Sequence, residues 1–471
     1  MKTFALALRN LLRNRRRSLA TLLAMAIGSM AILLFGGFSA NIKYSMETTH
    51  IRMGGHLQIQ HSDFQTYGTG NPAAYGITDP GRIIDGIRRD ERLREFVVAA
   101  TPMLQFVGIA GNYTAGASQA IAGIGLVAEE QAAMREWNAY QIPIRATPLL
   151  LKGTPPDSVV IGTGLARLLL LCEPLKIAGC EKPASKAQEP AGKEVPSDIA
   201  ILSAQEASAA RADGSSPSDR RASNRLELLV SNARGTPNVA SLEVVHAETQ
   251  PIKALDDVYV ALHLAQAQRL VFGADRPRVT SIAIQLRSSR MMDAAAARIR
   301  SELGSWSGNQ PLVVLDFATL NPFYVRTIQL FDTIFGFIFM LISGIVLFTV
   351  NNTMNTAVVE RTVEIGTLRA IGLRRSGIRR LFVTEGVLLG LAGAVIGVFG
   401  ALVAAFVVNH SGLEWLPPGN ADKMPLVLRV SGEWRMMVQT TAGLVVIAVL
   451  SAWLPAFRAA RLNLVDALRH V

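Results

Sequence analysis

The 471-residue chain lacks most of the signatures by which chemistry shows itself. It contains no Gly-x-x-x-x-Gly-Lys-[Ser/Thr] loop, and so no phosphate cradle with which to hydrolyse ATP itself. Gly162-Thr163-Gly164 opens a glycine pattern, but Arg167 stands where a dinucleotide fingerprint needs its third glycine. The seven histidines are scattered, no His-Glu-x-x-His pair occurs, and no serine occupies a Gly-x-Ser-x-Gly elbow. There are two cysteines, Cys172 and Cys180, with no histidine or third thiol nearby to complete a metal site. The sequence offers no catalytic residue, no metal ligand set and no cofactor site in this chain.

Acidic residues are missing where cations are dense. The stretches 1–18, 351–380 and 458–471 carry fifteen Lys and Arg against Glu360, Glu364 and Asp466, while the whole chain is only +11. Such a bias, with a pI near 10.0, would suit nucleic acid if it were spread over one surface. Here it flanks apolar runs, where Lys and Arg mark the side of a membrane that faces the cytoplasm. It is read as topology, not as affinity for nucleic acid.

Four apolar runs are long enough to cross a hydrocarbon core about 30 Å thick: Leu19 to Phe38, Ile328 to Val350, Leu381 to Val408 and Met436 to Phe457. The expected fold is therefore an α-helical membrane protein in a one-plus-three layout. An amphipathic cytoplasmic helix spans 1–18, the crossings fall at 19–40, 326–350, 381–408 and 436–457, and cytoplasmic segments at 351–380 and 458–471. A domain at 41–325 and a loop at 409–435 lie on the far face. Phe4, Leu8, Leu11 and Leu12 recur at helical spacing, so residues 3 to 17 should lie along the inner membrane surface. The first run is longer than the core of a signal peptide, and Gly37-Phe38-Ser39-Ala40 is a poor cleavage site.

The exported domain reads as α+β. Strand patterns occur at His56 to Gln60, Ser158 to Ile161, Leu226 to Ser231, Leu242 to His246 and Val279 to Leu286; helical patterns occur at Asp79 to Arg94, Ala261 to Val271 and Ser289 to Leu303. From 181 to 225 the composition is Ala, Ser, Pro, Glu, Lys and Arg, with too little apolar surface to offset ordering entropy. That insertion is expected to split the domain into lobes at roughly 42–180 and 226–310. Cys172 and Cys180, eight residues apart on the exported side, can close a disulfide or remain reduced.

Two features carry function. Glu360 and Glu364, at i and i+4, repel each other unless a partner supplies cations. Beside them Arg361, Ile365, Leu368, Arg369 and Ile371 form an amphipathic segment that Gly372 can cap, and a docking element results. In the third crossing Gly386, Gly390, Gly393, Gly397 and Gly400 recur every three or four residues, which lets helices approach closely within the chain or between subunits. Asp332 and Glu385 are nearly alone as acids within the runs and are read as packing or local hydrogen-bonding groups. Without a polar path through the helices, an ion channel or proton-coupled carrier is disfavoured.

The run Val359-Glu360-Arg361-Thr362-Val363-Glu364-Ile365-Gly366-Thr367-Leu368-Arg369-Ala370-Ile371-Gly372, followed by Glu385-Gly386 and the glycine stripe, resembles the FtsX-like, MacB-like permeases of type VII ABC transporters. Ala7 to Asn14, Gly55 to Ile59, Val159 to Ala166 and Asp466 to Arg469 are similar to family patterns as well. The resemblance implies a non-catalytic subunit of the bacterial inner membrane with its large domain in the periplasm. It implies a second permease copy, identical or different, and a dimer of separate ABC ATPase subunits that bind ATP and Mg. Mechanotransmission from those subunits would drive lipoprotein release or transport, the branch that Gly55 to Ile59 favours. The alternatives are a MacB-type tripartite efflux component working with a periplasmic adaptor, an FtsX-type regulator of a cell-wall hydrolase, and an ATP-independent scaffold. Membrane lipids are an expected partner and nucleic acid is not.

If the 181–225 composition is read correctly, limited proteolysis of the membrane-embedded chain will cut there before it cuts either flanking strand. Equal protection of insertion and strands would refute the reading.

Overall fold

The structure, a computed structural model, describes residues 2–13, 15–68, 70–143, 147–177, 224–232, 235–308, 310–416 and 423–461. The 181–225 insertion lies outside these residues except for its last two positions. Two compact units emerge: a helical unit of Met1–Met46, Phe323–Trp415 and Pro425–Val471, and a sheet unit of Glu47–Pro322 with Leu416–Met424.

Among the described residues four helices are long and apolar enough to cross a membrane: Ser18–Gly54, Pro322–Glu360, Arg375–His410 and Trp434–Ala460. Each outruns its apolar core because the polar flanks continue the helix. The second opens on Pro322, whose missing N–H costs nothing at a first helical position, and runs through Asn351 and Asn352 without a break. Met25 and Ile32, Val346 and Val350, Phe382 and Leu389, and Leu444 and Ala448 bring the four helices into one apolar core. Phe337, Met340, Ile345 and Phe348 of the second helix point outward, as lipid-facing residues do.

The glycine stripe is spent inside this bundle. A Cβ on Gly386 would stand 2.8 Å from Ala452 Cβ, and one on Gly390 2.9 Å from Ala448 Cβ, so these two seat the third helix on the fourth. Gly393 does the same against Met25 Cβ at 2.6 Å, and Gly397 against the Ala26 carbonyl at 2.6 Å, which seats the third helix on the first. Gly400 meets only the Met30 thioether, at 3.2 Å. Within lipid, where no hydrophobic effect drives helices together, such backbone approach supplies the packing energy.

Among the described residues the sheet unit's main sheet has nine strands: β1 (Leu57–His61), β2 (Val97–Asn112), β3 (Ala117–Leu126), β4 (Ser158–Gly162), β5 (Arg225–Ser231), β6 (Pro237–Glu248), β7 (Tyr259–His263), β8 (Ser281–Leu286) and β9 (Leu312–Asp316). Pairing runs β2–β3–β7–β4–β6–β5 and back to β2, which closes a ring of six strands; β8, β1 and β9 extend from the early part of β2. Phe106, Ile121, Val159, Leu228 and Leu262 fill the ring. A second core packs Leu57, Ile59, Ile282 and Ile284 under the helices Pro80–Arg89 and Met292–Ser307. The two expected lobes do not form. β8, from late in the chain, lies between β1 and β2, so each core mixes residues from both sides of the insertion.

Gly55 to Ile59 proves to be structural. Gly55 has φ +76, and a Cβ there would lie 2.6 Å from the Ile284 carbonyl. His56 is fully buried, its Nδ1 accepts the Leu286 N–H at 3.0 Å, and its ring stands edge-on to Trp137. Burial depresses its pKa to about 4, so the ring is neutral.

Gly397→Ala will lower the thermal stability of the detergent-solubilised chain by about 1–3 kcal/mol, because backbone and Ser29 Cβ must give way. Gly400→Ala, facing a flexible thioether, will be near neutral. Equal losses would show that the stripe is not used this way.

Candidate functional site

The second long helix ends at Glu360, and a nine-residue helix, Thr362–Ala370, follows one residue later. Arg361 makes the break, with φ −104 and ψ 14. Hydrogen bonding continues across it, from Arg361 N–H to the Ala357 carbonyl at 3.2 Å and from Ile365 N–H to the Arg361 carbonyl at 2.9 Å, so the junction is a kink and not a gap. The short helix ends in a Schellman cap: Gly372, at φ +104, donates to the Arg369 carbonyl, and Leu373 donates to that of Leu368, each at 3.0 Å.

At the kink the Arg361 side chain turns inward, only 6% exposed, and meets Glu385 of the third helix, only 2% exposed. Nη1 donates to Glu385 Oε1 at 3.1 Å and Nη2 to the Asn10 carbonyl at 3.2 Å. Asn10 Nδ2 donates to the same Glu385 oxygen at 2.8 Å and closes a triangle of three elements. Glu385 is thus a local hydrogen-bonding group, as its sequence context suggested. Asp332 lies exposed. One turn along the N-terminal helix Lys2–Arg13, Arg13 forms an exposed ion pair with Glu364.

Two corrections to the docking face follow. Arg361 and Ile365, counted on it from spacing, are buried, Ile365 in the apolar core of the bundle. Glu360 and Glu364 stand on successive helices, either side of the break at Arg361, and Arg13 supplies Glu364 with a cation from the same chain. What remains outward is Val359 and Ile371, at 73% and 79% exposed, with Val363, Glu360 and Glu364 between them. Leu368 and Arg369 are half-buried.

The contribution of Asn10 and Arg13 was not legible in the sequence. The one available signal was Glu385 itself, since a buried carboxylate demands donors, but nothing in spacing singles out residues some 375 positions away. Cys172 is disulfide-bonded, and Cys180 lies outside the described residues. Among the described residues no cluster of three His, Cys, Asp or Glu side chains is arranged to hold a metal.

The apolar bundle and the ring-and-extension sheet define a membrane protein carrying a large folded domain. Residues 333–464 match the model of the FtsX-like permease C-terminal family, and residues 18–195 match the MacB-like periplasmic core domain. The chain is 30% identical over 226 residues to the macrolide export ATP-binding/permease protein MacB of Escherichia coli K12, and equally to that of Shigella flexneri. Each match covers 44% of this chain and 32% of the relative, so the chain spans about a third of these proteins' length. The periplasmic region of MacB from Actinobacillus actinomycetemcomitans aligns with 59% of this chain and 95% of its own length, at 11% identity and TM-score 0.31. The extracellular domain of the transporter YknZ from Gram-positive bacteria aligns with 55% and 99%, at 12% identity and TM-score 0.28. Neither score is high enough to establish a common fold. The later part of the chain is thus similar to FtsX-like permeases and the earlier part to the MacB-like periplasmic core domain, and the two matches with the MacB relatives support a permease of the FtsX/MacB type.

Arg361→Ala strands a buried carboxylate and will cost about 3–5 kcal/mol of stability in detergent. Arg13→Ala removes an exposed pair and will cost less than about 1 kcal/mol. Comparable losses in thermal unfolding would contradict the burial assigned to Arg361.

Proposed function

We propose that this chain is a non-catalytic permease subunit that receives ATP-driven motion from a separate ATPase at residues 359–371 and passes it through its helices to a periplasmic domain. The carrying observation is the exposed face of Val359, Val363 and Ile371 with Glu360, displayed on the kink that ends a 39-residue helix. Isoleucine and valine so exposed outside an apolar run call for a partner, and the neighbouring acid suits a cationic rim on it. ATP and Mg would be held by the partner.

The charge bias supports both termini and residues 351–380 on the cytoplasmic side of an inner membrane, with one crossing before the exported domain and three after it. A second permease copy completes the assembly, and the outward apolar face of the second helix is available to it or to lipid. Two cargo classes fit. Acylated lipoproteins are the class that the resemblance at Gly55 to Ile59 favours, and the same stretch also packs β1 against β8. The macrolide-export names of the relatives favour a macrolide as cargo.

Glu360→Lys combined with Ile371→Asp will abolish ATPase co-purification and stimulated hydrolysis while leaving membrane insertion intact. Retained stimulation would remove the docking assignment. A co-purifying acylated protein would decide for lipoprotein release, and an adaptor with an outer-membrane channel for export.

A further inference from the structure

We infer that the N-terminal helix is a second arm of the coupling machinery, latched to the docking junction by Asn10, Arg361 and Glu385; this rests on the permease reading above. Arg361 occupies the kink between the second long helix and the docking helix, so a tilt of the docking helix moves its guanidinium. That guanidinium holds the third helix through Glu385 and the N-terminal helix through the Asn10 carbonyl. The Asn10 amide returns to Glu385, so no member of the triangle can shift without stretching a hydrogen bond to a charged group.

Arg13 and Glu364 repeat the connection one turn outward, joining the same two elements at the surface. Asn10 and Arg13 stand three residues apart, on one face of the N-terminal helix. The inner link is buried and stiff, and the outer one is exposed and weak. Together they fix the docking helix against the helix that leads into Arg15–Gly54. A further tie joins Arg15–Gly54 to the second long helix, from Thr21 Oγ1 to Thr353 Oγ1, 2.9 Å apart.

Anchorage alone does not require charge here. Ala7 is fully buried and Leu11 packs on the core, which suffices to hold an amphipathic helix down. A buried ion pair is a costly anchor that apolar residues of similar volume usually match or improve on. Arg361 Nε is moreover buried without a partner, a cost that a second arrangement of the junction would remove. A directional, under-satisfied link between three elements suits an element that changes position.

The test uses the full chain in nanodiscs, spin-labelled at Leu6→Cys on the N-terminal helix and Arg374→Cys just after the docking helix, both exposed positions. The parent will give a narrow distance distribution at rest. Asn10→Ala will broaden it about twofold. With the ATPase added, the complex carrying Asn10→Ala will still hydrolyse ATP, but the distance will no longer follow the nucleotide state as it does in the parent. The paired variant Arg361→Met with Glu385→Leu, which keeps the bundle packed, will behave like Asn10→Ala. Identical distributions in parent and Asn10→Ala would overturn the latch, as would a paired variant that keeps the parent's nucleotide-dependent distance. Absence of any ATPase stimulation in the parent would instead defeat the permease reading, since the resting distances test the latch without an ATPase.

Discussion

The third long helix is the element on which the rest of the bundle depends, and what makes it so is backbone contact. Gly386 and Gly390 admit the fourth helix, and Gly393 and Gly397 admit the first, at distances that leave no room for a methyl group. In lipid the alternative to such packing is contact with acyl chains as apolar as the side chains themselves, so close approach is the main source of association. The same helix carries Glu385, one residue before the stripe begins. The carboxylate is therefore held where the bundle is tightest, and the groups that reach it are held with it.

That placement settles an apparent conflict. A bundle with almost no ionisable groups buries two of them, Arg361 and Glu385, which on desolvation grounds alone is unfavourable. Arg361 stands at the break between two helices, and Asn10 adds a donor and an acceptor to its pair with Glu385. The cost falls where the short helix Thr362–Ala370 begins. A polar pathway through the membrane would distribute such groups along the helices, whereas here Arg361, Glu385 and Asn10 meet at one place.

The helices were legible because composition alone sets them: apolar runs of about twenty residues leave no other solution in a bilayer. The Gly372 cap and the glycine stripe were legible because each needs a residue without a Cβ at a fixed spacing. The sheet was half legible. β1, β4, β5, β6 and β8 carry branched apolar residues in alternation, but β2 and β3 run through Gly108, Gly111, Gly123 and Gly125, and such small residues erase the periodic signal. They are small for a tertiary reason: a Cβ on Gly123 would enter the Phe106 ring inside the closed strands, and one on Gly108 would strike the backbone of β5. β7 was absorbed into a helical pattern because the helix Leu264–Phe272 follows it without a spacer. The triangle of Asn10, Arg361 and Glu385 was illegible as a unit, since no local rule joins positions so distant in sequence.

Closure of the six-stranded ring bears on how a domain can be moved. An open sheet shears along its edges and offers unpaired N–H and C=O groups to other chains, whereas a ring has no edge to slip or to pair. β2 belongs both to the ring and to the extension, over sixteen residues, so the two cores share one continuous strand. The extension is sheathed by two helices, with β9 as its terminal strand. A load applied to such a unit displaces it as a body before it deforms it, because deformation must break several ladders at once. Stiffness in the sheet unit and a directional link at the kink are two mechanical conditions that the proposed transmission would need.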